Sequence, residues 1–323
     1  MQLVGERLLL VSSFWFCAPG EDKLCNLSLG IFGKETEMRK VLALFFSVFM
    51  VIFLSSCSQT KGYLFVIGSG RPEGIMRKFV EHAERSNSGK IIIFPMSSSE
   101  PDESGEWHVE QLKKFGAQEV EYHVLTREES LKEESTKILD NVGGIYFSGG
   151  DQTRLADALV DTPIHRRLLE IYEKGGVIGG SSAGAAVMSE IMITGEEKRD
   201  VESGHEFEII KASNIVTEEG FGFMKTAIVD QHFVRRKRHN RLISLVAENP
   251  KLLGIGIDEG TGIIVKPDDT FEVAGGRSVI IYDASKASIN IEADQTISGY
   301  NLVMHILKTG DRFDLKARRV LKQ

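Results

Sequence analysis

The chain has 323 residues, 42% of them hydrophobic, and a formal net charge of −7 at pH 7. This length and apolar content suffice for a sizeable core in one large domain or two modest ones. The acidic balance argues against a nucleic-acid partner, and Cys17, Cys25 and Cys57 lie too near the N-terminus to form a disulfide or metal site in the main domain. No histidine or carboxylate group has metal-ligand spacing. We therefore expect a small or peptide-like substrate, no metal and no cofactor.

The first segment with a clear pattern begins at Met38. The basic pair at residues 39–40 precedes an apolar stretch at residues 41–54, which is typical of a bacterial export signal and too short to span a membrane as a helix. Residues 54–57 (LSSC) resemble the lipobox of bacterial lipoproteins, which implies diacylation of Cys57 and a periplasmic or outer-membrane lipid anchor. The alternative is an uncleaved signal anchor or a buried helix.

These patterns divide the chain into five parts. Residues 1–37 are interpreted as an upstream extension, with translation starting at Met38, and residues 38–56 as the signal peptide. Residues 57–61 would be a lipidated tether, residues 62–284 the main domain, and residues 285–323 a C-terminal extension of that domain.

From residue 62 onward, apolar strand-like runs alternate with amphipathic helical patterns, which predicts an α/β fold with a mostly parallel sheet. Strands are predicted at residues 63–67, 91–94, 120–124, 145–147, 176–179, 226–229, 253–257, 262–265, 278–282 and 302–307. Helices are predicted near residues 75–83, 109–115, 153–160 and 164–174. Glycine-rich turns at Gly68, Gly149 and Gly180 follow three of the strands. Ligands of open α/β sheets bind at such strand ends, so we expect the site there.

A short glycine- and serine-rich motif identifies a candidate nucleophile. Residues 180–184 (GSSAG) follow an apolar run and begin a small-residue segment, which places Ser182 on a sharp strand-to-helix turn. On such a turn, neighbouring N–H groups and the helix N-terminus favour a developing oxyanion. The alternative is a turn that only lets the helix pack closely on the strand.

A serine nucleophile needs a base, and His232 is the candidate because it ends an apolar strand at the same predicted edge. The alternative is a structural histidine. A third group must orient the imidazole. Among the acidic residues between Ser182 and His232 we favour Glu196, with Asp200 as the second choice.

A dense basic cluster follows His232. If a helix begins near Val234, Arg238 and Arg241 share one face and Arg236 lies nearby. Arginines in this arrangement can bind carboxylates with paired hydrogen bonds. The alternative is a solvated surface.

Four motifs together resemble the cyanophycinase family, which also includes the α-aspartyl dipeptidases. They are SGGDQ at residues 148–152, GSSAGAAVM at 180–188, DQHF at 230–233 with the following arginines, and GIDEGT at 256–261. The resemblance covers about residues 62–283. It departs from the family in a longer stretch at residues 195–219 and in Gly260, where asparagine is common.

The resemblance implies a serine peptidase on a flavodoxin-like, doubly wound sheet related to class I glutamine amidotransferases. Ser182 would be the nucleophile, His232 the base, and the N–H groups of Gly150 and Ala183 the oxyanion hole. It also implies cleavage of β-linked aspartyl-arginine units, a homodimer, and substrate-pocket positions at Gln152, Asp230, Gln231, Arg236, Arg238, Arg241 and Glu259.

Three alternatives are weighed against this interpretation. An α-aspartyl dipeptidase would use the same site on a different bond, and a catalytically silent lipoprotein would use the same cleft to bind peptides. A glutamine amidotransferase needs a cysteine nucleophile, and the motif around Ser182 contains none.

Overall fold

A nine-stranded mixed sheet is the centre of the structure, a computed structural model that describes residues 61–202 and 205–322. The strands are β1 (Leu64–Ile67), β2 (Lys90–Phe94), β3 (Val120–Tyr122), β4 (Val142–Phe147), β5 (Val177–Ser181), β6 (Ile191–Glu197), β7 (Ile215–Glu219), β8 (Ala227–Gln231), β9 (Leu253–Ile257), β10 (Thr261–Val265), β11 (Thr270–Gly275), β12 (Val279–Asp283), β13 (Ser288–Ile291), β14 (Ile297–Tyr300), β15 (Val303–Leu307), β16 (Arg312–Asp314) and β17 (Arg319–Leu321). The helices are α1 (Glu73–Glu84), α2 (Pro101–Lys114), α3 (Arg127–Ser130), α4 (Gln152–Leu159), α5 (Pro163–Glu173), α6 (Ala183–Ala186) and α7 (His239–Glu248), and a 3-10 helix spans Glu133–Leu139.

The main sheet has the strand order β17-β16-β11-β10-β1-β5-β4-β2-β3. Strands β1, β5, β4, β2 and β3 pair in parallel, whereas β10, β11, β16 and β17 add an antiparallel edge. The predicted α/β, flavodoxin-like class is confirmed. The antiparallel edge includes three strands, β11, β16 and β17, that apolar runs did not predict.

A second sheet, with the order β15-β12-β9-β8, lies outside the main one. Four of the strands predicted from apolar runs belong to it, and β8 and β9 pair in parallel with Asp230 opposite Gly256. Strands buried on both faces are continuously apolar, so the pattern predicts that they exist but not which sheet they join.

Both faces of the main sheet are covered. Along β1, Leu64 and Val66 point into one core cluster, which contains Ile255 of the second sheet, while Phe65 and Ile67 point into the cluster that contains Phe79 of α1. This alternation follows from the two-residue period of a strand. Packing on both faces therefore fixes the strand ends at which the sequence predicts the site.

Two helices begin elsewhere than predicted. Helix α2 starts at Pro101, earlier than expected, because its acidic first turn lacks apolar periodicity while proline favours the first helical position. Helix α7 starts at His239 instead of near Val234, since His232 and Lys237 have φ angles of 51° and 53°, which interrupt a right-handed helix. Arg236 and Arg238 therefore precede the helix.

The irregular stretch at residues 195–219 begins in β6 and ends in β7. These two strands pair antiparallel and form a hairpin with a long connection. Residues 1–60, with the predicted upstream extension, export signal and lipidation motif, lie outside the described residues. No helix within residues 61–202 and 205–322 is long and apolar enough to cross a membrane.

Candidate active site

Ser182 lies on a tight turn between β5 and α6, as the motif predicts. Its backbone has φ 55° and ψ −110°, a conformation that costs free energy for any residue except glycine. Glycines make the turn possible: a Cβ on Gly180 would lie 2.2 Å from the carbonyl oxygen of Gly184. The turn therefore exposes the hydroxyl at the carboxyl end of the main sheet.

The imidazole of His232 meets this hydroxyl. His232 follows β8 of the second sheet, and its Nε2 lies 2.9 Å from Ser182 Oγ. The backbone of His232 also has a positive φ of 51°. The hydrogen bond thus joins residues that follow strands of two different sheets.

A carboxylate holds the other side of the imidazole. Glu259 Oε1 lies 2.8 Å from His232 Nδ1. Because a carboxylate accepts there, Nδ1 carries the proton and the lone pair of Nε2 faces Ser182. The geometry is that of a nucleophile, a base and an orienting acid.

This arrangement corrects the expected identity of the acid. Nδ1 has a single hydrogen, and it points to Glu259, whereas Glu196 and Asp200 are exposed at the end of β6 and beyond it. The resemblance had placed Glu259 among substrate contacts. The sequence contained part of the signal, because Glu259 follows a predicted strand as His232 does. The parallel pairing of β8 with β9 then places the two residues side by side.

The turn after β1, which the sequence places at the same edge, connects the segments of Ser182, His232 and Glu259 through hydrogen bonds that the sequence did not predict. The carbonyl of Gly68 accepts the N–H of His232 at 3.2 Å, that of Ser69 accepts the N–H of Gly260 at 2.9 Å, and that of Gly70 accepts the Ser181 hydroxyl at 2.8 Å. A Cβ on Gly68 would lie 2.4 Å from two carbonyl oxygens of the segment before Glu259. Only glycine allows this close approach.

The predicted oxyanion groups belong to two segments, the loop after β4 and the start of α6. Gly150 has φ 146°, and a Cβ there would lie 2.0 Å from the carbonyl oxygen of Ser97. The neighbouring Gly149 approaches Ser182 closely, since its Cβ would lie 3.4 Å from that of the serine. Ala183 is the first residue of α6, where the N–H has no partner within the helix.

Ser97 holds the loop that carries Gly150. Its hydroxyl lies 2.6 Å from that of Ser148 and 3.0 Å from the carbonyl oxygen of Gly149, and its carbonyl accepts the N–H of Asp151 at 2.8 Å. Ser97 is buried. Its location in a serine cluster after β2 gave no sign of this role.

The predicted substrate-pocket residues form a network among themselves. Arg241 and Asp230 make a buried two-pronged ion pair, with Nε 2.7 Å from Oδ2. Arg238 donates to the carbonyl oxygen of Gln231 at 2.8 Å and approaches Asp230 at 3.8 Å. The structure therefore unites Asp230, Gln231, Arg238 and Arg241.

Two other predicted pocket residues lie apart from this network. Gln152 is buried, and its amide nitrogen donates to the carbonyl oxygen of Ile193 at 2.7 Å, which ties α4 to the β6–β7 hairpin. Arg236 is exposed. Gly260 has φ 66°, a conformation that asparagine also tolerates, so its departure from the family preserves the backbone.

The electrostatics favour a neutral imidazole beside an ionised carboxylate. Burial lowers the pKa of His232, and the cations of Arg236 and Arg238 lower it further, while the hydrogen bond to Glu259 acts in the opposite direction. The hydrogen bond from His232 lowers the pKa of Glu259. Burial lowers the pKa of Arg238 to about 10, so that guanidinium remains charged at neutral pH.

Metal ligands do not cluster in the part of the chain that the structure describes: no group of three or more histidine, cysteine, aspartate or glutamate side chains is arranged to hold a metal ion. The residues gathered at the strand ends instead supply an oxygen nucleophile, a base and N–H donors. That set of groups suits acyl transfer.

Comparisons with known proteins agree with this geometry. The model described as Peptidase family S51 matches residues 64–273. The cyanophycinase of Synechococcus elongatus is 34% identical over 273 residues, covering 81% of this chain and 82% of that protein, and that of Nostoc sp. (strain PCC 7120) is 36% identical, covering 81% and 88%. The crystal structure of a peptidase from an acI-B1 Actinobacterium shares the fold, with a TM-score of 0.59 at 22% identity over 80% of this chain and 98% of that one. The chain therefore belongs to peptidase family S51 and is a cyanophycinase-like serine peptidase.

Proposed function

We propose that this peptidase is an exopeptidase that hydrolyses β-aspartyl peptide bonds, such as β-Asp-Arg, through an acyl-enzyme. The observation that carries the proposal is the continuous chain from Ser182 Oγ to His232 Nε2 at 2.9 Å and from His232 Nδ1 to Glu259 at 2.8 Å. It provides a nucleophile, a base of the required tautomer and a group that stabilises the imidazolium.

In the first half of the reaction, Ser182 Oγ attacks the scissile carbonyl carbon while His232 Nε2 takes the hydroxyl proton. The carbonyl oxygen becomes an oxyanion, which the N–H groups of Gly150 and Ala183 stabilise. The C–N bond then breaks as the imidazolium gives its proton to the leaving amine. An ester between Ser182 and the aspartyl group remains.

In the second half, His232 removes a proton from water, which attacks the ester carbonyl carbon. A second oxyanion forms and collapses, the C–O bond to Ser182 breaks, and the imidazolium returns a proton to the serine oxygen. The products are a free aspartyl carboxylate and the regenerated hydroxyl. One water is consumed for each bond cleaved.

Two observations support a β-aspartyl substrate. The curated relatives with 34% and 36% identity are cyanophycinases. An arginine network lies next to His232, and in it Arg238 contacts Gln231 and Asp230 through one of its guanidinium nitrogens, Nη1. A guanidinium in this position suits a substrate carboxylate.

The decisive test is the Ser182→Ala variant. Its hydrolysis of β-Asp-Arg should fall by roughly a thousandfold or more, because the serine, histidine and glutamate act as a unit. Ser181→Ala is the matched control, because the Ser181 hydroxyl donates to the carbonyl of Gly70. In this variant Ser182 should still react with a serine-directed phosphonate. Unchanged hydrolysis by Ser182→Ala, or phosphonate on Ser181, would contradict the proposal.

The substrate class needs a separate panel. Release of amino acids from paired α- and β-aspartyl dipeptides and from insoluble aspartyl-arginine polymer should be fastest for the β-linked compounds. Faster cleavage of the α-linked pair would favour an α-aspartyl dipeptidase. No cleavage together with no phosphonate labelling would favour a peptide-binding protein.

We also propose that Cys57 is acylated and that the enzyme is held at the bacterial cell envelope. The support is the sequence alone: a basic pair, an apolar stretch of residues 41–54 and the motif at residues 54–57. Incorporation of a labelled fatty acid that Cys57→Ala abolishes would support the anchor. The homodimer implied by the resemblance stays a prediction, to be checked by the mass of the protein in solution.

A further inference from the structure

Arg71 is a second guanidinium at the carboxyl edge of the sheet, outside the network of Arg238 and Arg241. It directly follows the turn that aligns the catalytic segments. Its guanidinium carbon lies 3.9 Å from the ring centroid of Trp107, and its Nε and Nη2 lie 3.3 and 3.0 Å from Nε2 of His108. The stacked ring and the imidazole fix the plane of this guanidinium.

His108 supports Arg71 without neutralising it. The Nδ1 of His108 lies 2.6 Å from the carbonyl oxygen of Ser104, so Nδ1 carries the proton and Nε2 accepts from Arg71. Burial lowers the pKa of His108 to about 4, and the charge of Arg71 contributes to this shift. The imidazole is neutral at neutral pH, so the positive charge remains on the guanidinium.

Within residues 61–202 and 205–322, no carboxylate lies within ion-pair distance of Arg71. Arg77, in the second turn of α1, offers a contrast. Its guanidinium also faces an aromatic ring, but it pairs with Glu73 at 2.8 Å. A half-buried cation is costly without a counter-charge. The free edge of the Arg71 guanidinium therefore points to an anionic ligand.

The hydroxyl of Tyr146 is a buried polar group that is close enough to Arg71 to be affected by its charge. The Tyr146 side chain is fully buried, and its hydroxyl has no hydrogen bond of good geometry among the described residues. Burial raises the pKa of Tyr146 to about 12, while the charge of Arg71 and the nearby Ser181 hydroxyl act in the opposite direction.

A cavity at Arg71 lies between the turn after β1 and the segment after β2. It is lined by Arg71, Ser98, Ser104 and Trp107, with Glu100 and Glu103 exposed at its rim. One wall is joined to the segment of Ser182 through Gly70 and Ser181, and the other begins one residue after Ser97, which holds the oxyanion loop.

We propose that Arg71 binds the free carboxylate of the leaving amino acid. This deepens the proposed function and rests on it. His232 delivers the proton to the leaving amine, and the carbonyl of Gly68 in the turn before Arg71 accepts the backbone N–H of His232. Arg71 is therefore attached to the segment that faces the leaving residue. The rim carboxylates of Glu100 and Glu103 disfavour a second negative charge, so β-Asp-Arg and β-Asp-Ala should be better substrates than β-Asp-Glu.

The first test compares β-Asp-Arg with its C-terminal amide. Wild-type protein should prefer the acid by roughly tenfold in kcat/KM, the effect of one partly exposed charge-assisted hydrogen-bonding group. Arg71→Gln should remove the preference by slowing only the acid, and Arg71→Lys should keep part of it. Arg77→Gln, the matched control, should leave it unchanged. Equal losses on both substrates, or an unchanged ratio in Arg71→Gln, would overturn the proposal.

The second test separates this subsite from the proposed hydrolysis. Calorimetric titration of Ser182→Ala protein with β-Asp-Arg and with its amide should show tighter binding of the acid, and adding Arg71→Gln should abolish the difference. If wild-type protein hydrolyses no β-aspartyl peptide but this difference is observed, the function fails and the subsite stands. If hydrolysis is observed but Ser182→Ala binds the two ligands equally, or binds neither, the subsite is wrong.

Discussion

Two pairs of polar side chains, Asp230 with Arg241 and His232 with Glu259, meet near the ends of the neighbouring strands β8 and β9, and the pairs differ in their access to solvent. Asp230 and Arg241 have side chains 0% and 1% exposed, whereas His232 and Glu259 have side chains 10% and 29% exposed. The first pair is buried away from solvent. The second pair is open enough for a proton to leave and return, which a catalytic base requires. Solvent access thus separates the structural pair from the working pair.

Removing the acid of the open pair should have the largest effect. In Glu259→Gln, the amide can donate a hydrogen bond to Nδ1 of His232. The proton of the imidazole then lies on Nε2, so no lone pair of the ring faces Ser182. We expect kcat/KM for the β-aspartyl substrate to fall by roughly a thousandfold to ten-thousandfold. The urea midpoint of unfolding should stay close to that of the wild-type protein, because Glu259 is partly exposed. Activity retained within tenfold would show that Glu259 does not orient the base.

Removing the cation of the buried pair should mainly affect folding. In Arg241→Met, the carboxylate of Asp230 stays buried without its partner, and the free energy of unfolding should fall by about 3–5 kcal/mol. Arg236→Met is the control, because Arg236 is exposed, and it should change stability by less than about 0.5 kcal/mol. A urea midpoint unaltered by Arg241→Met would mean that the pair is not structural.

The smallest expected effect is on the pH dependence of the open pair. Because burial and Arg236 lower the pKa of His232, kcat/KM should stay constant down to below the ordinary histidine pKa of about 6.5 and then fall as Nε2 gains a proton. Arg236→Gln removes one of the cations that lower this pKa, so the fall should move to higher pH. A shift to lower pH would contradict the assigned electrostatics.

Local patterns selected Ser182 and His232, which the structure brings together, but they did not select Glu259 as the group beside His232. The turn around Ser182 is formed by residues 180–184, so five consecutive residues specify it. The position of His232 at the end of an apolar strand is equally local. Glu259 reaches His232 only because β8 and β9 pair in parallel, and that pairing depends on tertiary packing.

The late start of α7 and the contacts of Ser97 and Gly68 also depend on tertiary structure. The charged run after His232 looked like a helix face, but left-handed residues delay the helix to His239, and Arg241 then turns into the core. Ser97 and Gly68 act through contacts with backbone that is distant along the chain. A serine or glycine contains no sequence signal for such a contact, so only the fold could show it.

The turn from Gly68 to Gly70 bridges the two sheets at their working ends. The nucleophile follows a strand of one sheet, and its two partners follow strands of the other, so neither layer alone holds a competent set of groups. A chain in which the layers have not yet docked should be inert toward peptides. Hydrolysis would then appear late in folding, and the nascent polypeptide would not cleave peptides until the two sheets have docked.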